Sequence, residues 1–171
     1  MKKIFMSIIL TFYALCVNSQ TKETAEKLYA FLAEDSVNIY ANALGQKVIT
    51  SLKNTSQDFY LVSLKRKRLE RFYVVINNVS DFDTMYYYGW VNRSVVGIAF
   101  NSAIIEVFPR PSFDSTPLQL TISKGTTVAT VLDFKNNGWI KCFFFANNDL
   151  FEGWIPQKYQ CFNLFTMCCG D

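Results

Sequence analysis

The sequence Gly-Trp followed by a β-branched residue occurs twice, as Gly89-Trp90-Val91 and Gly153-Trp154-Ile155. Each copy closes a similar string of short apolar segments, and such a recurrence marks a duplicated structural unit. The segments are strand-like. Residues 37–40, 47–50, 59–62 and 72–76 are rich in β-branched and aromatic side chains, with Asn, Gly and Ser between them. Residues 104–108, 118–122, 127–131 and 139–143 repeat that order. Pro109, Pro111 and Pro117 bracket a loop where no ladder donor is needed, while Lys124-Gly125 and Asn136-Asn137-Gly138 read as tight turns. The expected fold class is mainly all-β, with two small closed β-barrels over residues 35–98 and 101–162 and a division near 97–102.

The ends add a leader, a helix and a tail. Residues 1–19 read as a secretory signal peptide: Lys2 and Lys3 precede an apolar run over 4–17, and Val17-Asn18-Ser19 offers a cleavage site. That run is short for a membrane span, which needs ~20 apolar residues. A lipoprotein signal ending at Cys16 is the rival, but Leu15 stands where a small residue belongs. The chain is therefore expected to be exported, periplasmic or extracellular, without a transmembrane segment in its mature form. Residues 20–34 are expected to form one helix, with Thr21 or Thr24 as cap, Glu23 and Glu26 in its first turns, and Leu28, Phe31 and Leu32 on one face. Residues 163–171 form a Cys-containing tail.

Charge and cysteine usage narrow the chemistry. Lysine and arginine number 17 against 14 aspartates and glutamates, and Lys2 and Lys3 leave with the signal. The near-neutral balance gives no general reason to expect nucleic acid, whose backbone demands clustered positive charge. One cluster exists, Lys65, Arg66, Lys67 and Arg68 with Arg71. Such a run between apolar strands reads as a solvated hairpin loop; the sharper reading is a patch for an anionic partner. Cys142, Cys161, Cys168 and Cys169 remain after the signal is removed, and an even number in an exported chain fits disulfides. A Cys142–Cys161 pair is the preferred pairing, because both lie in one small module. No metal site and no cofactor are expected, since there is neither histidine nor Cys-x-x-Cys spacing.

The absence of histidine removes the Ser-His-Asp and Cys-His arrangements and the commonest general base near neutral pH. Asp81 and Asp83 lie in an Asn/Ser/Asp-rich stretch that reads as a loop, not as a glycosidase pair drawn from opposing elements. No catalytic residue is assigned. What stands out is aromatic surface. Alternation over Met85-Tyr86-Tyr87-Tyr88-Gly89-Trp90 places Tyr86, Tyr88 and Trp90 on one strand face and Tyr87 on the other. Phe143-Phe144-Phe145 puts apolar rings on both faces of a strand, one for the core and one for the neighbouring module.

Val37-Asn38-Ile39-Tyr40 at the opening, with the closures Tyr88-Gly89-Trp90-Val91 and Glu152-Gly153-Trp154-Ile155, resembles the bacterial SH3-like family over residues 35 to about 162. The family's usual Arg and Gly-Pro turn are replaced here by Tyr40-Ala41-Asn42 and Phe108-Pro109-Arg110. The resemblance implies tandem SH3-like barrels and binding to cell-wall peptides or glycans. An aromatic groove of Tyr40, Tyr87, Trp90, Phe108 and Trp154 is the expected site. The alternative is a structural or adaptor component of an envelope complex, docking through the helix, the basic cluster or the cysteine tail. The tryptophans of the Gly-Trp pairs also admit a purely structural reading.

Overall fold

A computed structural model describes residues 28–53, 60–78, 85–123 and 127–161. The signal peptide, the Cys168-Cys169 tail, Asp81, Asp83 and the Lys124-Gly125 turn lie outside the described residues. The strands are β1 (Tyr29–Leu32), β2 (Ser36–Tyr40), β3 (Val48–Lys53), β4 (Tyr60–Arg68), β5 (Arg71–Asn78), β6 (Met85–Asn92) and β7 (Val96–Phe100). They continue as β8 (Ile104–Val107), β9 (Leu118–Thr121), β10 (Val128–Phe134), β11 (Ile140–Ala146), β12 (Asp149–Ile155) and β13 (Gln160–Cys161). Single 3-10 turns, Arg93–Val95 and Gln157–Tyr159, precede β7 and β13. Among the described residues there is no α-helix, and none long and apolar enough to cross a membrane.

The expected helix over 20–34 is corrected where it meets the described residues, because 29–32 is strand β1. Leu28, Ala30 and Leu32 enter the main core, while Phe31 packs on the other side with Ala99 and Cys161. That is a period of two, whereas a helix would set Leu28, Phe31 and Leu32 together. The segment also has antiparallel partners on both sides, β4 and β7. Two ladders satisfy its backbone more fully than a short helix, marginal by itself, would do.

Strand pairing recurs along the chain. β1 pairs with β4 and β7, β4–β5–β6 form a meander, and the β2–β3 hairpin meets β6 at the single pair Tyr40↔Trp90. Then β7 pairs with β10 and β13, β10–β11–β12 form a meander, and the β8–β9 hairpin meets β12 at the bridge Phe108↔Trp154. A bulge between Leu64 and Arg66 in β4 recurs between Val131 and Asp133 in β10. β7 thus closes the first set and opens the second, standing there where β1 stands in the first.

The expected closed barrels are not found. Pairing follows an open path, β12-β11-β10-β7-β1-β4-β5-β6-β2-β3, with β13 attached to β7 and β8–β9 as a separate ribbon. Each hairpin forms backbone pairing with its meander at one residue pair only and does not zip along its edge. One hydrophobic cluster fills both sets, from Leu28 and Val37 through Phe72 and Phe100 to Phe144 and Ile155. Phe72 of β5 meets Phe134 of β10 edge-on, with centroids 5.5 Å apart, so the halves share a core.

The preferred Cys142–Cys161 pairing is also corrected. Cys142 is a free, fully buried thiol on the core face of β11. Cys161 belongs to the separate cluster with Phe31 and Ala99, so the two side chains enter different packing layers. Burial pushes the Cys142 thiol pKa far above its ordinary value.

Candidate functional site

The site begins with strand register. Arg66 of β4 lies opposite Tyr73 of β5, Tyr73 opposite Trp90 of β6, and Trp90 opposite Tyr40 of β2. Residues paired in register share a face, so Arg66–Tyr73–Trp90–Tyr40 forms a row across four strands, about 14 Å at ~4.8 Å per strand. The bulge is what turns Arg66 outward. Without the extra residue Lys65, Arg66 would follow Val62 and Leu64 onto the core face. Beside the row, Tyr88 lies opposite Val75 and Tyr86 opposite Asn77, and both tyrosines are 55% exposed. The edge-on contact of Tyr73 with Trp90 has a centroid distance of 5.4 Å.

Gly89 and Gly153 explain the repeated dipeptide. A Cβ at Gly89 would collide with the Ile39 side chain and lie 3.0 Å from the Tyr40 carbonyl oxygen. At Gly153 it would collide with Val107 and lie 3.0 Å from the Phe108 carbonyl oxygen. The meander and the hairpin approach too closely for any side chain at that crossing. The next residue, tryptophan, points to the opposite face.

The same row in the second half is Asp133–Lys141–Trp154–Phe108. Here the aromatic rings are sealed. Phe108, Trp139 and Trp154 are 3%, 4% and 8% exposed and form their own cluster. Phe113, from the loop between β8 and β9, sits over them with its centroid 5.6 Å from Phe108 and 4.8 Å from Trp139. Lys158 Nζ lies 2.9 Å from Glu106 Oε2, to which the Tyr159 hydroxyl also donates, and these bonds hold the Glu106 carboxyl below the usual carboxylate range.

In the first half the corresponding loop, Ala41-Asn42-Ala43-Leu44-Gly45-Gln46-Lys47, carries no ring. Instead the Arg71 guanidinium covers one side of Tyr40, 3.6 Å from its centroid. Arg71 Nη1 donates to the carbonyls of Asn42 and Gly45 at 3.0 and 2.6 Å, and Nε donates to Asn92 Oδ1 at 3.2 Å. Tyr40 and Trp90 stay half-buried, with exposed Tyr88 and Tyr86 alongside.

The expected groove residues therefore separate. Tyr40 and Trp90 meet; Tyr87 faces the opposite way and packs against the main core. Phe108 and Trp154 meet in the second half, but inside its sealed cluster. Of the basic cluster, Arg71 is an internal brace, Lys67 Nζ pairs with Asp133 at 2.5 Å, and Lys65, Arg66 and Arg68 are exposed. Phe143 faces Arg93 and Glu70 of the first half, whereas Phe145 is 68% exposed and lies opposite the exposed Leu150 of β12.

Reading the residues alone missed Tyr73 and the partnership of Arg71 with Tyr40, because both depend on register across strands distant in sequence. A depression of about 560 Å³ lies elsewhere, mostly on the second half, lined by Arg93, Leu132, Asp133, Lys141, Phe143, Leu150 and Glu152. Its charges are already partnered: Lys141 with Glu152, Lys67 with Asp133, and Arg93 with Glu70. The first-half aromatic face is the stronger candidate. No protein-family model and no curated protein matches the chain.

Proposed function

We propose that the protein is a non-catalytic binding protein of the cell envelope, exported by its N-terminal signal. Its ligand, a cell-wall peptide or glycan or a protein segment, lies on the aromatic face formed by Tyr40, Tyr73, Tyr88 and Trp90. One observation carries this reading: of two equivalent aromatic rows, one is sealed beneath Phe113 and the other is open. A ring set needed only for stability is best buried, and half-exposed tyrosines with free hydroxyl tips suit polar, flat ligands. The repeated order of strand, hairpin, meander, 3-10 turn and final strand supports reading each half as an SH3-like module. The lack of histidine supports a binding role over hydrolysis.

Retention on isolated peptidoglycan tests the reading. The wild-type protein is retained, and Tyr88→Ala and Trp90→Ala each reduce retention by at least ten-fold while the urea midpoint shows the variants folded. Unchanged retention in both variants removes the aromatic face as the site. Recovery of one stoichiometric protein partner, with no retention on the wall, moves the protein to the adaptor class.

A further inference from the structure

The charges on the two halves have diverged along with the rings. Strands β2, β4, β5 and β6 carry Lys65, Arg66, Lys67, Arg68 and Arg71 and not one carboxylate. Their counterparts β8, β10, β11 and β12 carry Lys141 alone, against Glu106, Asp133, Asp149 and Glu152. Position by position, Arg66 stands where the second half has Asp133, and Tyr88 where it has Glu152. The open row therefore ends on a cation, and the sealed row ends on an anion.

Resting on the aromatic-face reading, we propose that the ligand of the first half is an acidic glycan: a chain of sugar rings bearing carboxylates at intervals. Its rings stack on Trp90, Tyr73 and Tyr88, and a carboxylate reaches the exposed guanidinium groups of Arg66 and Arg68, whose planar forks donate two parallel hydrogen bonds to it. The other outward side chains on these strands include the amides and hydroxyls of Asn38, Ser63, Asn77 and Asn92, groups suited to sugar hydroxyls, alongside Ser36 and the apolar Leu61 and Val75. The exposed cations, Arg66 and Arg68, stand at one end of the row, while Arg71 at the other end is buried and committed to Asn42, Gly45 and Asn92. That distribution fits a chain with spaced charges better than a nucleic acid, which carries a phosphate at every nucleotide and needs cations along the whole path.

Titration of the purified full chain, followed by tryptophan fluorescence, compares hyaluronan oligosaccharides, neutral chito-oligosaccharides and oligothymidylate. The expected result is hyaluronan binding at least ten-fold tighter than the neutral chain and weakening as salt rises. The double variant R66Q/R68Q loses that ten-fold preference, Tyr88→Ala weakens both sugars, and all variants keep the wild-type urea midpoint. Equal binding of both sugars, unaffected by R66Q/R68Q but lost in Tyr88→Ala, overturns the acidic preference and leaves the aromatic face standing. Tighter binding of oligothymidylate than of hyaluronan overturns the glycan assignment. No binding of any probe also overturns it, and retention on peptidoglycan then decides whether the face binds at all.

Discussion

A methyl group at Gly89 or Gly153 has nowhere to go, because each faces a carbonyl oxygen of a crossing strand that cannot move without breaking its own pairing. Gly89→Ala and Gly153→Ala are each expected to destabilise the protein by roughly 2 kcal/mol, as overpacking of a tight core does, read as lower urea midpoints. Cys142 is inert for related reasons, being enclosed and held as the neutral thiol. A brief iodoacetamide pulse should leave it unlabelled in the native protein and label it in urea, by peptide mass mapping. The outward face of β6 was legible from alternation alone, since nothing interrupts the strand between Tyr86 and Trp90. The outward turn of Arg66 was not legible. It depends on one inserted residue that reverses the parity of β4, and the sequence there is simply a basic run.

Strand β1 shows where spacing misleads. Leu28, Phe31 and Leu32 fit a helical stripe, and Leu28, Ala30 and Leu32 fit a strand equally well; only the waiting edges of β4 and β7 decide between them. Because β1 lies between those strands, a chain beginning at Ser36 removes one ladder from each, breaks the sheet between them and exposes Val62, Val96 and Ile98 to water. That truncated chain is expected to lose its cooperative unfolding transition and its β-type circular dichroism. A dispensable packing helix would have cost only part of the stability. The two hairpins were legible as strand pairs, but their single-residue contacts with the meanders were not. Such crossings are set by glycine clearance and by the packing of Ile39 and Val107, which no periodicity reports.

The duplicated pattern invites a picture of two separate beads, and the shared strand β7 contradicts it. Since β7 pairs with strands of both halves and the core runs through them, the protein is expected to unfold in a single transition. In a Trp90→Phe variant the remaining tryptophans, Trp139 and Trp154, report on the second half alone. Their fluorescence midpoint in urea should coincide with that of circular dichroism for the whole molecule, whereas separate midpoints would make the halves independent.

The ladders of β7 have one more consequence. Gly97 pairs with both Phe31 and Thr130, and Ala99 pairs with both Val128 and Cys161, so β1 and β13 occupy the same edge of β7 end to end. The first and last strands of the described residues are therefore neighbours. A short connector from residue 161 back to residue 28 would leave the pairings undisturbed, and a circularly permuted protein is geometrically natural.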